Sequence, residues 1–132
     1  MGAALTSVAT AYAAASRGRF DELAPLLAED IDWRGLPDED GEVPSCRGRA
    51  TAVEVMRRGA GLAAGRVSVQ EFVEHDNRVL ARVIRHDPDG PDRMHFTLIE
   101  INPQGQIARM YAYASEEDAR RVLARTSPMS AT

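Results

Sequence analysis

The sequence is poor in cysteine and has no long apolar run, and each absence excludes a class of protein. A single cysteine, Cys46, rules out an internal disulfide and fits the reducing environment of the cytoplasm. No apolar stretch approaches the roughly 18 residues that a membrane-spanning helix requires. The alanine-rich start also lacks the early positive charge of a signal peptide, because its first basic residue is Arg17. We therefore predict a cytoplasmic protein with no membrane partner.

An excess of positive charge is missing too. The chain has 16 Lys and Arg against 20 Asp and Glu, a net charge of −4, and its arginines are interspersed with acidic residues. Nucleic acids and anionic membranes bind basic surfaces, so neither is a predicted partner. The sequence also contains no glycine-rich phosphate loop, no dinucleotide fingerprint, and no His, Asp and Cys spacing that indicates a metal site. We predict no cofactor and no metal.

The chain does contain enough apolar sequence for one folded unit. Its hydrophobic content is 44%, and 132 residues are enough to bury about two-thirds of the unfolded surface. We predict a single domain over residues 1–125. Residues 126–132 show no periodic pattern and are predicted to form a flexible C-terminal tail.

Apolar residues recur with helical spacing in three segments, at Ala4–Ser16, Phe20–Ala28 and Thr51–Arg58. Pro25 lacks an N–H group, so it is expected to kink or split the second of these helices. Ser115 begins a pattern that resembles a capping box, and this predicts a final helix after it.

Alternation of apolar and polar residues predicts the strands. Ile31–Gly35 has this pattern, and so do Val67–Glu74, Val79–His86, Met94–Ile101 and Ile107–Tyr113. Short turn sequences join the last four segments, which predicts an antiparallel meander. The order of the elements predicts an α+β fold, in which a curved antiparallel sheet wraps around the N-terminal helices and leaves a central cavity.

The stretch from Gly105 to Glu117 resembles the last strand and helix cap of bacterial ketosteroid isomerases. Leu26–Asp30, before the first strand, and Cys46–Arg49, before the third helix, add to this resemblance because they occur in the right order. Over about residues 5 to 124 the chain resembles the nuclear transport factor 2-like superfamily, and within it the SnoaL-like and ketosteroid isomerase-like proteins. The resemblance implies a cystatin-like, cone-shaped fold with an apolar pocket.

The same resemblance shows that the usual catalytic carboxylates are missing. The isomerase needs a carboxylate base and an oxyanion hole that includes a protonated Asp. The base falls at Gly35, the oxyanion-hole Asp at Thr97 and a pocket Trp at Ala114. The catalytic Asp of the limonene epoxide hydrolase branch falls at Ala112. We therefore predict that the protein is not a standard ketosteroid isomerase.

His95 is the strongest remaining candidate for catalysis. His95, Thr97 and Ile99 share one strand face, which lines the cavity if Thr97 takes the oxyanion-hole position. Because the unperturbed pKa of His is about 6.5, His95 could serve as an acid or a base. Tyr12 or Thr97 would donate a hydrogen bond to the substrate. The alternative is a structural role, in which His95 and Tyr12 only satisfy hydrogen bonds in the interior.

The predicted ligand-binding residues are those that alternation and the resemblance place on the cavity wall: Trp33, Ile99, Met110, Ala112 and Ala114. Trp33 shares a face with Gly35 and would form an aromatic wall, although core packing alone would also explain it. The small residues at 112 and 114 predict a roomy cavity. The face of Val79–His86 that lines the cavity stays open, because its comparison with the family requires a one-residue gap.

Two functions of different classes follow. The first is a cofactor-independent enzyme, an isomerase, cyclase or hydratase/dehydratase, acting on a hydrophobic oxygenated molecule such as a polyketide or steroid-like ring. The second is a non-catalytic module for ligand binding or dimerisation. The missing carboxylates favour the second function, and a histidine beside two hydroxyl groups favours the first.

A homodimer is predicted from the outer face of the sheet. If His95 and Thr97 face the cavity, the residues that alternate with them point outward and form an apolar surface, namely Met94, Phe96, Leu98, Tyr111 and Tyr113. Soluble monomers rarely expose such a surface. We predict that a second copy covers it. The alternative is cover by the C-terminal helix of the same chain, through Ala119, Val122 and Leu123.

Overall fold

The computed structural model describes residues 2–36, 40–59, 66–86 and 88–125, and has an α+β architecture. Its elements, in chain order, are α1 (Ala3–Ser16), α2 (Phe20–Leu23), a 3₁₀ turn (Ala24–Leu26), β1 (Leu27–Arg34), β2 (Ser45–Arg47), α3 (Arg49–Gly59), β3 (Val67–His75), β4 (Arg78–Arg85), β5 (Arg93–Ile101), β6 (Ile107–Tyr113) and α4 (Glu116–Leu123). The tail predicted at 126–132 lies outside the described residues.

The strands form one six-stranded sheet in the order β2-β1-β6-β5-β4-β3. Strands β3 to β6 make the predicted antiparallel meander. Strand β1 runs parallel to β6, with Trp33 beside Met110, and β2 pairs antiparallel with β1. The sheet is therefore mixed. The sequence predicted an antiparallel sheet, and the parallel pair of β1 and β6 is the difference. Alternation identifies a strand but not its partner, and β1 pairs with β6 at the edge of the meander.

The second predicted helix ends earlier than the prediction. Helix α2 stops at Leu23, and Pro25 lies in the 3₁₀ turn that follows it. Strand β1 already begins at Leu27, whose side chain is fully buried. Pro25 splits the segment as expected, because it cannot donate the hydrogen bond that would continue the helix. The chain beyond it is then free to enter the sheet.

Helix α1 packs its alanine-rich side on the inner face of the sheet. Val8 and Ala11 are buried against a core that includes Val79, Ala81 and Ile99. Burying a side chain such as Val8 contributes about 1.5–3 kcal/mol. The small alanine side chains allow the helix axis to approach the strands closely. This contact places the following turn of α1, with Tyr12, over the neighbouring part of the sheet.

The start of α1 is held by a carboxylate from the sheet. Glu74 in β3 accepts a hydrogen bond from the Leu5 N–H at 2.8 Å. A side chain at Gly2 would collide with this carboxylate. The first N–H groups of a helix have no partners within the helix, and a negative charge there is favourable. Glu74 therefore fixes both the position and the direction of α1.

Helix α4 covers the outer face of the sheet. Phe96 is 5% exposed and Leu98 is fully buried, in a cluster with residues of the helix, namely Ala119, Val122 and Leu123. Arg78 donates to the main-chain oxygens of Val122 and Arg125, near the end of the helix. The apolar outer face on which we based the homodimer is thus covered within one chain, as in the alternative. Of the outward residues, Met94 stays exposed. The homodimer stays a prediction, without this support.

Phe96 and Met94 give a matched test of this cover. We expect Phe96→Ala to lower the free energy of unfolding by about 3–5 kcal/mol, because it leaves a cavity under α4. Met94→Ala changes an exposed residue of the same strand face and should cost less than about 0.5 kcal/mol. Urea denaturation at several protein concentrations measures both values. A loss at Phe96 that grows on dilution of the protein would instead place this residue in an interface between two copies.

Candidate functional site

A cavity of about 490 Å³ lies between the helices and the inner face of the sheet. Its wall is formed by side chains of α1, α2, α3 and five strands, with Leu36 and Pro44 at the loop after β1. Most of these side chains are apolar. The polar side chains on the cavity wall are Tyr12, His95, Thr97, Arg34 and Arg85. Among the described residues, no acidic side chain lines this cavity. The described residues therefore surround a mainly apolar cavity with few polar groups.

The residues predicted for this wall are largely brought together. The cavity is lined by Tyr12, Trp33, His95, Thr97, Met110 and Ala112. Ile99 instead lies in the core beneath α1, fully buried, because the helix covers that end of the strand. Ala114 follows the last residue of β6 and is exposed, so it does not reach the wall. We correct the predicted set at these two positions.

Cross-strand pairing explains the arrangement. Thr97 in β5 pairs with Ala81 of β4 and with Ala112 of β6, and His95 pairs with Val83. Paired residues of antiparallel strands point to the same face, so all five side chains lie on the inner face. This pairing also settles which face of β4 is inward. The two alanines beside Thr97 are small, and they leave space above this hydroxyl group.

Tyr12 reaches the same region from helix α1. Its ring packs edge-on against Phe72, with 5.6 Å between the ring centroids. Burial raises the pKa of Tyr12 to about 12, and a hydrogen bond with Thr97 acts in the opposite direction. Tyr12 is therefore a neutral phenol at physiological pH. Its hydroxyl group and that of Thr97 form a pair of neutral hydrogen-bonding groups in the cavity.

His95 is a half-buried imidazole on the same wall. Burial lowers its pKa below the usual 6.5, and the positive charge of Arg85 lowers it further. Neutral imidazole therefore predominates at about pH 7, which leaves one ring nitrogen free to accept a proton. Together with Tyr12 and Thr97, His95 provides one neutral base and two hydroxyl groups. The arrangement can move a proton without a carboxylate.

Gly35 lies where Trp33 and Pro44 meet at the edge of the cavity. The Gly35 N–H donates to the Pro44 oxygen at 2.8 Å. A Cβ atom at this position would lie 3.0 Å from Pro44 Cγ and 3.1 Å from the Trp33 ring. Both contacts are tight for a carbon atom. The side chains of Pro44 and Trp33 thus fill the space that a carboxylate side chain at position 35 would need.

Sequence reasoning missed Arg85 and the contribution of α3. Arg85 is exposed and lies at the rim of the cavity, where the predicted β4 had no assigned face. Val55 and Met56 of α3 line the opposite wall. Helical spacing indicated an inward side for α3, but no pattern in the sequence shows which part of the sheet that side meets.

The other reactive side chains lie outside the cavity. His86 contacts Ser68 Oγ at 2.9 Å and Asp92 Oδ2 at 3.2 Å. Burial and the nearby Asp32 raise the pKa of the Cys46 thiol, so it is not an activated nucleophile. Over the ranges that the structure describes, no cluster of three or more His, Cys, Asp and Glu side chains could hold a metal ion. In the same ranges, no helix has the length and apolar character needed to cross a membrane.

The sequence matches a known family over most of its length. The model of the SnoaL-like domain matches residues 8–123. The chain belongs to the SnoaL-like family. Its fold is that of the nuclear transport factor 2-like superfamily, as predicted from the sequence. Among curated proteins, none matches the sequence significantly.

Solved structures share the fold of this SnoaL-like protein at low identity. A candidate ketosteroid isomerase from Kribbella flavida has a TM-score of 0.69 at 18% identity, over 97% of this chain and 84% of that one. A Mycobacterium tuberculosis protein in complex with estradiol-17β-hemisuccinate has a TM-score of 0.67 at 13% identity, over 89% and 97%. An epoxide hydrolase of the same organism has 0.64 at 17%, over 90% and 87%. At these identities the likeness shows the fold alone.

Acidification is expected to destabilise the SnoaL-like protein through His95. The lowered pKa means that the unfolded chain binds a proton first as the pH falls through about 6.5. The contribution of His95 to stability is thus complete above that pH, and it falls as the pH drops toward the folded-state pKa. Urea unfolding between about pH 7 and pH 5 measures this slope. His95→Gln should flatten it, and equal slopes in the two proteins would contradict the lowered pKa.

Proposed function

We propose that the SnoaL-like protein binds a hydrophobic, oxygenated small molecule in its cavity and carries out cofactor-independent acid/base chemistry on it. The observation that carries this proposal is the neutral His95 on the wall of an apolar cavity, close to the hydroxyl pair of Tyr12 and Thr97. A neutral imidazole can accept a proton from a bound substrate and so act as a general base.

His95 would remove a proton from a carbon next to a carbonyl group of the substrate. Tyr12 or Thr97 would donate a hydrogen bond to the carbonyl oxygen, on which negative charge develops. The imidazolium can then return the proton to another carbon, to a departing hydroxyl group or to the alkoxide formed in a ring closure. These outcomes correspond to an isomerase, a dehydratase and a cyclase. One such proton-transfer group contributes about 10²- to 10⁴-fold to the rate.

The size and polarity of the cavity support a fused-ring substrate. Its volume of about 490 Å³ lies within the range of small-molecule sites, and its wall is mainly apolar, with Trp33 and Met110 side by side. A protein of the same fold holds estradiol-17β-hemisuccinate. We therefore propose a polyketide- or steroid-like ring that carries at least one carbonyl oxygen.

The second candidate function is ligand binding without catalysis. The observation that favours it is the packing around Gly35, where Trp33 and Pro44 take the place in which a carboxylate base would begin. In this case His95 and the hydroxyl pair serve only to orient the ligand. The two functions make the same prediction for binding, but they differ in what His95 does to a bound ketone.

Hydrogen–deuterium exchange of 1-tetralone separates the two functions. This ketone is apolar, and its α-protons exchange slowly in D₂O without a catalyst. We expect the wild type to accelerate the exchange, and His95→Gln to remove about 10²- to 10⁴-fold of that acceleration. Tyr12→Phe should lose part of it, because Thr97 remains as a donor.

Binding is followed in the same samples by the fluorescence of Trp33, the single tryptophan of the chain and part of the cavity wall. Quenching of Trp33 without any acceleration of exchange would favour the binding function. Absence of both signals over the solubility range of the ketone would count against this ligand class.

Standard ketosteroid isomerase activity should be absent. Conversion of a 5-ene 3-ketosteroid to its 4-ene isomer requires a base at the position of Gly35, which has no side chain. Gly35→Asp is not expected to create the activity, because its Cβ would already press on Pro44 at 3.0 Å. The absorbance of the conjugated product measures the rate. Turnover of about 1–10³ per second in the wild type would contradict the assignment of the base position.

A further inference from the structure

Two arginines lie side by side on adjacent strands, at the end of the sheet where Arg85 lines the cavity. Arg85 of β4 pairs with Arg93 of β5, two residues along each strand from the pair of Val83 and His95. Val83 and His95 line the cavity, and alternate residues of a strand share a face. Both arginines therefore lie on the cavity face of the sheet. Arg85 is itself part of the cavity wall.

This pair is unfavourable by itself. Like charges directly opposite each other on neighbouring strands are destabilising. Within the described residues, neither arginine has an ion pair, and no acidic side chain lines the cavity beside them. The field of Arg85 reaches inward, because its charge helps to lower the pKa of His95. A pair of cations is thus left at the end of an apolar cavity.

The arginines on the outer face of the same strands have acidic partners. Arg78 meets Glu100 at 3.1 Å, and Arg82 meets Glu116 at 3.0 Å. Arg109 of β6 also pairs with Glu100. Within the described residues, these three arginines on the face that α4 covers are neutralised, whereas Arg85 and Arg93 on the cavity face have no ion pair.

We propose that the natural ligand of the cavity is an organic anion, an apolar ring system whose carboxylate is bound at the rim by Arg85 and Arg93. Guanidinium groups bind carboxylates with paired hydrogen bonds, and Arg is favoured where such planar recognition is needed. The proposal rests on the proposed function only in requiring that the cavity binds a small molecule, and it holds for an enzyme and for a binding protein alike.

Such binding would also orient the ligand. With the carboxylate at Arg85 and Arg93, the rings extend along the wall past His95 to the hydroxyl pair of Tyr12 and Thr97, and Met110 and Trp33 lie one register step beyond Thr97. A cationic group at one end and neutral hydroxyl groups further along an apolar wall accept an amphipathic ring system in a single direction. A neutral ketone of the same shape would lack this preference.

Two probes that differ only in charge test the proposal. These are 1-pyrenebutyric acid and 1-pyrenebutanol, whose pyrene group accepts excitation energy from Trp33. We expect the acid to bind about 5- to 30-fold more tightly than the alcohol, as for one charge-assisted contact. Raising the salt concentration from about 0.05 M to about 0.5 M should weaken only the acid.

The variants assign this difference to the rim. Arg85→Gln and Arg93→Gln should each weaken the acid and leave the alcohol unchanged. Arg121→Gln removes the same charge from α4, on the other side of the sheet, and should change neither probe. Ala112→Phe fills the cavity and should abolish binding of both, which excludes binding elsewhere on the surface.

Each contrary outcome has a distinct meaning. Equal binding of the acid and the alcohol by the wild type would overturn the proposed anion, while the pocket and its proposed function would stand. The anion is also overturned if Arg121→Gln weakens the acid as much as Arg85→Gln does, because the effect is then one of net charge. Failure of both probes to receive energy from Trp33 would overturn the anion and the proposed function together.

Discussion

From Phe96 to Ile101, strand β5 is buried on both faces, and both helical layers of the fold pack against this stretch. Its inner residue Ile99 is covered by α1, and its outer residues Phe96 and Leu98 are covered by α4. A strand covered on both faces needs an apolar partner on each side. Helix α1 is held at its start by Glu74 and covers only part of the inner face. The remaining part, around Thr97 and His95, is left open as the cavity wall.

The two faces of the sheet also differ in their charged residues. Glu100 is 7% exposed on the outer face and binds both Arg78 and Arg109. A buried ion pair is tolerated when further hydrogen bonds satisfy its groups, and Arg78 also donates to the carbonyl oxygens of Val122 and Arg125. The outer charges thus serve to fix the helix. Among the described residues, Arg85 and Arg93 on the inner face have no ion pair, and the proposed anion site is based on this difference.

The sequence predicted the local pattern more reliably than the contacts between distant segments. Alternation along β5 and β6 placed Thr97 and Ala112 on one face, because the period of a strand is independent of its surroundings. Ile99 lies on that same face but in the core, since only the docking of α1 decides where the cavity ends. The parallel contact of Trp33 with Met110 joins segments far apart in the chain and has no local signal. The cover of Phe96 by α4 was visible only as an alternative, because an amphipathic helix and a second subunit satisfy the same apolar surface.

The proposed anion also bears on how a weak base could work in this cavity. Arg85 lowers the pKa of His95, which keeps the imidazole neutral and at the same time makes the imidazolium formed by proton removal less stable. A carboxylate seated between Arg85 and Arg93 would offset the positive charge that disfavours this imidazolium. The basicity of His95 would then rise only when a ligand with the correct charge is bound. Because none of the described residues on the cavity wall carries a carboxylate, the substrate would supply the negative charge that balances the protonated base.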